Sequence, residues 1–318
     1  MFVSGAQPIR QWILTRIAEM TEMLRSKDDV TIVLPTLNEE EAIESVVTEL
    51  KQVGYHNILV VDGYSTDGTV KIAESNGCYV VSQHSRGKCG AIETAIENVK
   101  TPYLLVMDGD LTYDPKDIDN LLVHADKYDQ IIGVRANGRK NIPRTNRFGN
   151  WLITKTFNLL MGTKLSDVCS GMYLMDTHAA RELELNALGF DVEVEIAAQT
   201  AMNGRVTEVP IAYRKRLGSQ KLSSWKHGFQ IMRTIFGLAH RYNPVLLFSG
   251  LVSLAVIPAS VILLWTVLER VSSGAWRGDY ALSGLMLLLL GSQGLTVATI
   301  SLLFRRMEKR IMRQTRKS

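Results

Sequence analysis

The segment LLVMDGDLTYDP, from Leu104 to Pro115, carries Asp108 and Asp110 on either side of one glycine, where an apolar run ends. Asp and Gly are common turn residues, so a tight turn after a strand is one interpretation. The other is a pair of hard oxygen ligands for Mg²⁺ or Mn²⁺, which in turn would hold a phosphate. In this second interpretation, cation binding relieves the repulsion between the two carboxylates.

A second candidate site lies between residues 130 and 166, where seven basic residues occur without any acidic one. The basic residues are Arg135, Arg139, Lys140, Arg144, Arg147, Lys155 and Lys164. A solvated basic face near lipid headgroups is one interpretation. We favour a phosphate-binding site formed by Arg135, Arg144 and Arg147, because arginine forks match phosphate oxygens.

Short apolar strands alternate with helical stretches in the first half of the chain. We predict strands at Val30–Leu34, Asn57–Val61, Tyr79–Ser82 and Tyr103–Met107, and helices at Glu39–Lys51 and Thr66–Asn76. This order predicts parallel strands joined by right-handed crossovers. The polar motifs PTLNEEE, DGYSTDGT and DGDLTYDP follow the first, second and fourth strands. Each motif alone could be a loop with a helix cap, but ligands bind at this edge of parallel sheets, so we expect the site there.

The second half of the chain is basic and contains two long uncharged segments. The net charge is −9 up to Glu208 and +13 from Val209 onward, which indicates a nucleic-acid or membrane surface. Residues 242–268 and 280–304 carry no charge. As helices, both are longer than the about 30 Å of bilayer hydrocarbon, so we predict a transmembrane hairpin. The basic half therefore needs no nucleic acid.

Basic residues flank this predicted hairpin on both sides. Seven lie between Arg214 and Arg241 and seven follow residue 304, whereas the 269–279 loop has two acids and two bases. The positive-inside rule predicts a multi-pass cell-membrane protein with both termini and the catalytic domain in the cytoplasm. The three cysteines lack CxxC spacing, which argues against a zinc site and a disulfide framework.

These patterns predict five parts. They are an N-terminal amphipathic helix (1–27), an α/β catalytic domain (28–218), an interfacial amphipathic segment (219–241), two transmembrane helices (242–268 and 280–304) and a basic cytoplasmic tail (305–318).

The motifs PTLNEE, VVDGYSTDGT, DGDL, CSGMYLMD and YRKRLGSQKLS occur in this order between Val30 and Ser224. As an ordered set they resemble those of the inverting glycosyltransferases of family 2, and among these the dolichyl-phosphate (polyprenyl-phosphate) sugar synthases. The resemblance implies a GT-A domain, of α/β class with a mostly parallel sheet, followed by the interfacial helix and the transmembrane hairpin. It also implies transfer of a hexose or N-acetylhexosamine from a nucleotide sugar to dolichyl (polyprenyl) phosphate, for glycoprotein or glycolipid assembly.

The resemblance also implies roles for individual residues. Those assigned to the nucleotide sugar are Pro35, Glu39, Asp62, Lys88 and Asp108, with Lys88 in the glycine loop SRGKCGAI. Asp108 and Asp110 are assigned to Mg²⁺ or Mn²⁺ on the diphosphate. The catalytic set is Asp110, Arg135, Arg144 and Arg147.

The sequence departs from the commoner family pattern at two positions. Gly63 stands where a second Asp is frequent, which leaves recognition of the base open. Thr112 stands where a Gln often completes the metal shell, so the third ligand could be water. We favour a UDP-sugar over GDP-mannose as donor, although no residue decides between them on physical grounds.

Three functional hypotheses are open, and the first two differ in the acceptor. A lipid phosphate is anionic at neutral pH and needs cations, which the basic segment supplies, whereas a hydroxyl acceptor needs a general base. A polysaccharide or lipid-headgroup hydroxyl, with Asp167 or Asp191 as base, is the alternative, although Asp191 and the following acids Glu193 and Glu195 fit the start of a helix. A non-catalytic membrane-anchored nucleotide-sugar-binding protein would be expected to have lost its metal ligands.

Overall fold

The structure is a computed structural model that describes residues 26–137, 139–185, 192–216, 224–242 and 244–315. The predicted amphipathic helix at 1–27 falls almost wholly outside these residues, and so does Asp191. The described residues form two compact units. The first extends to Asn158 and continues from Thr163 to Thr234, and the second comprises Leu159–Gly162 and the residues from Ile235.

A seven-stranded sheet in the order β3-β2-β1-β4-β6-β5-β7 forms the centre of the first unit. The strands are β1 (Val30–Thr36), β2 (Ile58–Asp62), β3 (Tyr79–Ser82), β4 (Tyr103–Val106), β5 (Gln130–Asn137), β6 (Tyr173–Asp176) and β7 (Val206–Ala212). Only β6 runs antiparallel to its neighbours among these strands. The predicted mostly parallel sheet is therefore confirmed, with four strands close to their predicted bounds.

Helices cover the sheet of the first unit. They are α1 (Ile43–Gln52), α2 (Thr69–Ser75), α3 (Gly87–Asn98), α4 (Ile118–Leu122), α5 (Arg144–Met161), α6 (Thr177–Arg181) and α7 (Val192–Asn203), with 3₁₀ turns at Lys27–Asp29, Pro115–Asp117 and Arg139–Asn141. The central strands read as continuous apolar runs because both of their faces are buried, as in the core cluster around Ile32, Leu34, Val60 and Leu105.

The prediction that the first helix begins at Glu39 is wrong, because α1 begins at Ile43. Asn38 adopts a left-handed conformation with φ of 53°, and its side-chain oxygen accepts a hydrogen bond from Thr66 N at 2.7 Å. The asparagine therefore ties the loop after β1 to the loop after β2 instead of capping a helix.

Two long apolar helices dominate the second unit. Helix α8 (Ser224–Tyr242) precedes α9 (Pro244–Ser273) and α10 (Gly278–Thr315). Both α9 and α10 contain a stretch long and apolar enough to cross a membrane, at Phe248–Ser273 and Gly278–Val297. Many of their large apolar side chains are exposed, as lipid-facing side chains would be.

Three glycines of α10 allow α9 to pack closely against it. A Cβ atom on Gly284, Gly291 or Gly294 would lie 2.6–2.7 Å from a side-chain carbon of α9. Small residues at such positions let membrane helices approach each other, so the two helices pair as the predicted hairpin. Helix α10 continues to Thr315 and so includes most of the residues of the predicted basic tail.

Candidate active site

The three polar motifs meet at the carboxyl edge of β1, β2 and β4. Gly63 N donates a hydrogen bond to Thr36 O at 2.8 Å, which joins the ends of β1 and β2. Arg216, after β7, joins the first and third motifs: its NH2 lies 3.0 Å from Glu39 Oε1 and its NH1 3.1 Å from Asp110 Oδ2. The structure therefore brings together residues that are far apart in the chain.

The residues expected to bind the nucleotide lie at this edge. Asp62 is buried at the end of β2 and accepts hydrogen bonds from Ser65 N through both carboxylate oxygens, at 3.3 and 3.0 Å. Pro35 lies within β1, opposite Val61 in the register. The hydroxyl of Thr36 is buried and has no hydrogen-bond partner in the described part of the chain, which leaves it available to a ligand.

Asp110 is held rigidly by its own loop. Its Oδ1 accepts hydrogen bonds from Thr112 N at 3.2 Å and from Thr112 Oγ1 at 2.5 Å, and Leu111 between them has a φ of 65°. Thr112, which stands where a glutamine was expected, therefore fixes one oxygen of Asp110. Burial and the nearby charge of Asp108 raise the pKa of Asp110, because both disfavour its ionised form.

Asp108 lies next to a lysine and a glutamate that are both buried. Lys88 Nζ lies 2.6 Å from Asp108 Oδ1 and 2.5 Å from Glu193 Oε1. Burial opposes the positive charge of Lys88, but the two carboxylates outweigh it and hold its pKa well above the usual value. The predicted donor loop is thereby placed beside the predicted metal ligand. Gly171 leaves room for Asp108 on the other side, since a Cβ there would displace the Asp108 carboxylate from its present position.

Glu193 and Arg216 are absent from the site predicted from sequence. Glu193 was expected only near the start of a helix, and α7 does begin at Val192. The sequence did contain a signal, because Glu193 and Glu195 interrupt an apolar run at 192–198, and the structure shows that both are buried. Charged residues are almost never buried unless they are paired, so their partners could have been sought.

The basic segment is divided between a buried arginine and an exposed helix. Arg135 forms a bidentate ion pair with Asp167, with Nε–Oδ2 and NH2–Oδ1 distances of 2.7 Å, and NH2 also donates to Cys169 O at 3.1 Å. Both members of the pair are buried. Two residues expected in different roles, a phosphate ligand and a possible base, therefore bind each other, and the Arg135 fork faces Asp167.

Arg144 and Arg147 lie in the first turn of α5 and are exposed. Arg135 is next to the same helix, because its NH2 lies 3.3 Å from the side-chain amide of Asn150 when that amide is oriented to accept. Among the residues that the structure describes, neither Arg144 nor Arg147 forms an ion pair. Their guanidinium groups are thus available to an anion.

The exposed face of α5 also carries large aromatic side chains. Phe148 and Trp151 are 65% and 53% exposed, and their rings stack with centroids 5.9 Å apart. Exposed aromatic side chains interleaved with arginine are typical of helices that contact the headgroup layer of a membrane.

The pair Asp108 and Asp110 fits a divalent cation that arrives with a phosphate ligand. No group of three or more His, Cys, Asp or Glu side chains within the described ranges could hold a metal ion alone. Proteins commonly bind Mg²⁺ through one or two carboxylates, with substrate phosphates and water as the remaining ligands. Two carboxylates at the edge of the candidate nucleotide site are such a set.

Comparison with known proteins gives matches over most of the chain. The model of glycosyl transferase family 2 matches residues 31–184, which include Asp62, Asp108 and Asp110. Glycosyltransferase AglJ of Haloferax volcanii is 36% identical over 230 residues, 70% of this chain and 76% of that protein. A dolichyl-phosphate hexose transferase of the same organism is 33% identical over 216 residues, 65% of this chain and 92% of that protein.

A more distant relative and a solved structure extend the comparison. The undecaprenyl-phosphate mannosyltransferase of Micrococcus luteus is 29% identical over 233 residues, 67% of this chain and 96% of that protein. Glucosyl-3-phosphoglycerate synthase from Mycobacterium tuberculosis, solved with Mn²⁺, UDP and its product, superposes with a TM-score of 0.54 at 20% identity. That match covers 66% of this chain and 79% of the synthase, and supports the GT-A fold.

Proposed function

This chain belongs to glycosyltransferase family 2, and from that premise we propose that it transfers a hexose or N-acetylhexosamine from a nucleotide sugar to dolichyl or polyprenyl phosphate. Two relatives carry the names dolichyl-phosphate hexose transferase and undecaprenyl-phosphate mannosyltransferase. The two long apolar helices agree with an acceptor that resides in a membrane. The observation that carries the proposal is the pairing of a two-carboxylate nucleotide site with an exposed arginine helix.

The donor would bind at the carboxyl edge of the sheet. Asp62, Pro35 and the free hydroxyl of Thr36 would line the nucleotide pocket, and Asp108 with Asp110 would hold Mg²⁺ or Mn²⁺ against the diphosphate. The ion, when bound, supplies Lewis-acid stabilisation of the charge that develops on the leaving diphosphate. Thr112 keeps Asp110 oriented for this contact.

A uridine donor is the first to test. Solved structures with this fold include complexes with UDP and with UDP-glucose, although at 20–22% identity they support the fold rather than the choice of base. Gly63 leaves the edge of the pocket without the carboxylate that is frequent in the family.

The acceptor phosphate would be held by arginines. A lipid monophosphate is already an anionic nucleophile, so the site must bind its charge rather than remove a proton. Arg144 and Arg147 are exposed on α5 for this contact, next to aromatic side chains suited to the headgroup layer. Arg135 would contribute through NH1, since its Nε and NH2 groups are bonded to Asp167 and Cys169.

The hydroxyl-acceptor alternative needs a free carboxylate base. Asp167 was one candidate, but both of its oxygens already accept hydrogen bonds from the buried Arg135, so neither is free to face an acceptor hydroxyl. A non-catalytic binding protein is disfavoured because both proposed metal ligands are present and face the site.

The membrane orientation follows from charge. Basic residues flank the hairpin at both ends, in and before α8 and at the C-terminal end of α10. The 269–279 loop between the two helices has balanced charges. We propose that the catalytic unit and both ends of the hairpin are cytoplasmic, in the cell membrane.

The test is a comparison of two acceptors that differ only in the phosphate. Purified full-length protein in detergent is incubated with Mn²⁺, a panel of UDP- and GDP-sugars, and either dolichyl phosphate or dolichol. The lipid product is identified by mass spectrometry. We expect glycosylated dolichyl phosphate with at least one donor. Transfer to dolichol at an equal rate, or to neither lipid with any donor, would contradict the proposal.

A further inference from the structure

Each proposed metal ligand is ion-paired with a basic side chain that also pairs with a second carboxylate. In the first such unit, Lys88 Nζ lies between Asp108 Oδ1 at 2.6 Å and Glu193 Oε1 at 2.5 Å. The Lys88 side chain is 8% exposed and that of Glu193 7%, whereas that of Asp108 is 34% exposed. Lys88 and Glu193 are therefore enclosed, and Asp108 is the member that faces a ligand.

The second unit repeats this arrangement with residues from other parts of the chain. Arg216 NH1 lies 3.1 Å from Asp110 Oδ2, and its NH2 lies 3.0 Å from Glu39 Oε1. The two units share no residue, yet each consists of a metal ligand, a cation and a second carboxylate. In each unit the second carboxylate lies on a different element from the metal ligand.

The net charge of the two units matches that of one divalent cation in magnitude. Their four carboxylates and two basic side chains sum to two negative charges when all are ionised. A divalent cation on the two aspartates would weaken their attraction for Lys88 and Arg216 by occupying the same oxygens. The basic side chains would remain paired with Glu193 and Glu39, next to a newly bound diphosphate.

On the basis of the proposed donor site, we propose that Lys88 and Arg216 are exchangeable counter-ions of the metal site. In the ligand-free protein each neutralises one metal ligand, and in the donor complex each turns to the diphosphate. Glu193 and Glu39 are positioning residues that keep the two cations within reach. Binding of the metal and of the donor is then coupled, because a metal ion alone must displace two ion pairs without offering the displaced cations a new anion.

A neighbouring arginine provides a matched control. Arg214 also bridges two carboxylates, with NH1 2.7 Å from Glu49 Oε2 and NH2 2.7 Å from Asp114 Oδ2. Its side chain is 33% exposed, close to the 27% of Arg216. Neither of its partners is a proposed metal ligand, so its removal should not change metal binding.

The experiment is a titration of the full-length protein in detergent with Mn²⁺ alone, in which free Mn²⁺ is followed by electron paramagnetic resonance. The proteins compared are the parent, Lys88→Met, Arg216→Met and Arg214→Met, with circular dichroism as the check of folding. We expect Lys88→Met and Arg216→Met to bind Mn²⁺ about tenfold more tightly than the parent, since each has lost a competing charge-assisted contact. Arg214→Met should bind like the parent.

A gain in affinity is informative because misfolding would not produce it. Equal or weaker Mn²⁺ binding by the folded variants, including no detectable binding, would overturn the inference. If Lys88→Met does not fold, Mn²⁺ binding by Arg216→Met tests the inference, since the Arg216 side chain is partly exposed and its replacement disturbs the fold less. Sugar transfer by the parent is measured separately, so a failure of the counter-ion inference is distinguishable from a failure of the proposed function.

Discussion

The buried pair Arg135–Asp167 gives the prediction with the most direct structural basis. Replacing Asp167 by Asn keeps the shape but offers one acceptor oxygen where two now accept from Nε and NH2, both at 2.7 Å. The NH2 group of the introduced amide would face an N–H donor of Arg135, so one hydrogen bond would be lost. The Arg135 charge would remain buried without a negative partner. Loss of one partner of a buried ion pair costs about 3 kcal/mol or more.

This loss can be measured as thermal stability. For a domain of this size each kcal/mol corresponds to about 2–4 °C in Tm, so we expect Asp167→Asn to unfold about 6–12 °C below the parent by circular dichroism. The double variant Arg135→Met with Asp167→Leu removes both charges and should recover most of the stability, because well-packed apolar residues can replace a buried pair.

Function should separate from stability in the same variants. If Asp167 positions Arg135 for the acceptor phosphate, Asp167→Asn should raise the KM for dolichyl phosphate and leave nucleotide binding unchanged. The stable double variant should remain defective in transfer. A loss of kcat in Asp167→Asn with unchanged acceptor KM would refute the positioning role and favour Asp167 as a base. Parent-like stability would refute the energetic argument.

Other predictions follow from the same structure. Asp110→Asn should lower the rate of sugar transfer about a hundredfold while the circular dichroism spectrum is retained, and excess EDTA should abolish parental transfer; full turnover in EDTA would exclude a required metal. Gly291→Leu should lower Tm and disturb the hairpin, because even a Cβ at this position would lie 2.6 Å from Val256 Cγ2; an unchanged Tm would argue against this packing. A cysteine at the exposed position Ser273 should react with an impermeant thiol reagent added to intact cells, and labelling of a cysteine at Thr315 instead would reverse the proposed orientation.

Local patterns in the sequence predicted those parts of the fold that depend on local physics. The strand Tyr79–Ser82 and the two apolar helices follow from periodicity and hydropathy, which neighbouring residues determine. The start of α1 at Ile43 was missed because Asn38 bonds to Thr66, a partner 28 residues away. The antiparallel strand Tyr173–Asp176 was also not predicted, since strand direction depends on the path of the connections.

The candidate site shows the same division between local motif and distant partner. The proposed metal ligands Asp108 and Asp110 are separated by a single glycine and could be proposed from their motif. The basic side chains that pair with them could not be identified, because Lys88 lies 20 positions from Asp108 and Arg216 lies 106 positions from Asp110. Similarly, Arg135 meets Asp167 only through the sheet, 32 positions away, so the sequence suggested a freer arginine than the structure contains.

In the proposed mechanism, exposed arginines of α5 hold a lipid phosphate while a separate site binds the nucleotide sugar. The most direct measurement is the KM for dolichyl phosphate of Arg144→Ala and Arg147→Ala, with Lys140→Ala as an exposed basic control from the preceding turn. Charge-assisted contacts contribute about 1.5–3 kcal/mol each, so each arginine variant should raise the acceptor KM, or lower kcat/KM, at least about tenfold. Donor binding by calorimetry and the kinetics of Lys140→Ala should match the parent. Parental kcat/KM for dolichyl phosphate in both arginine variants would contradict this mechanism.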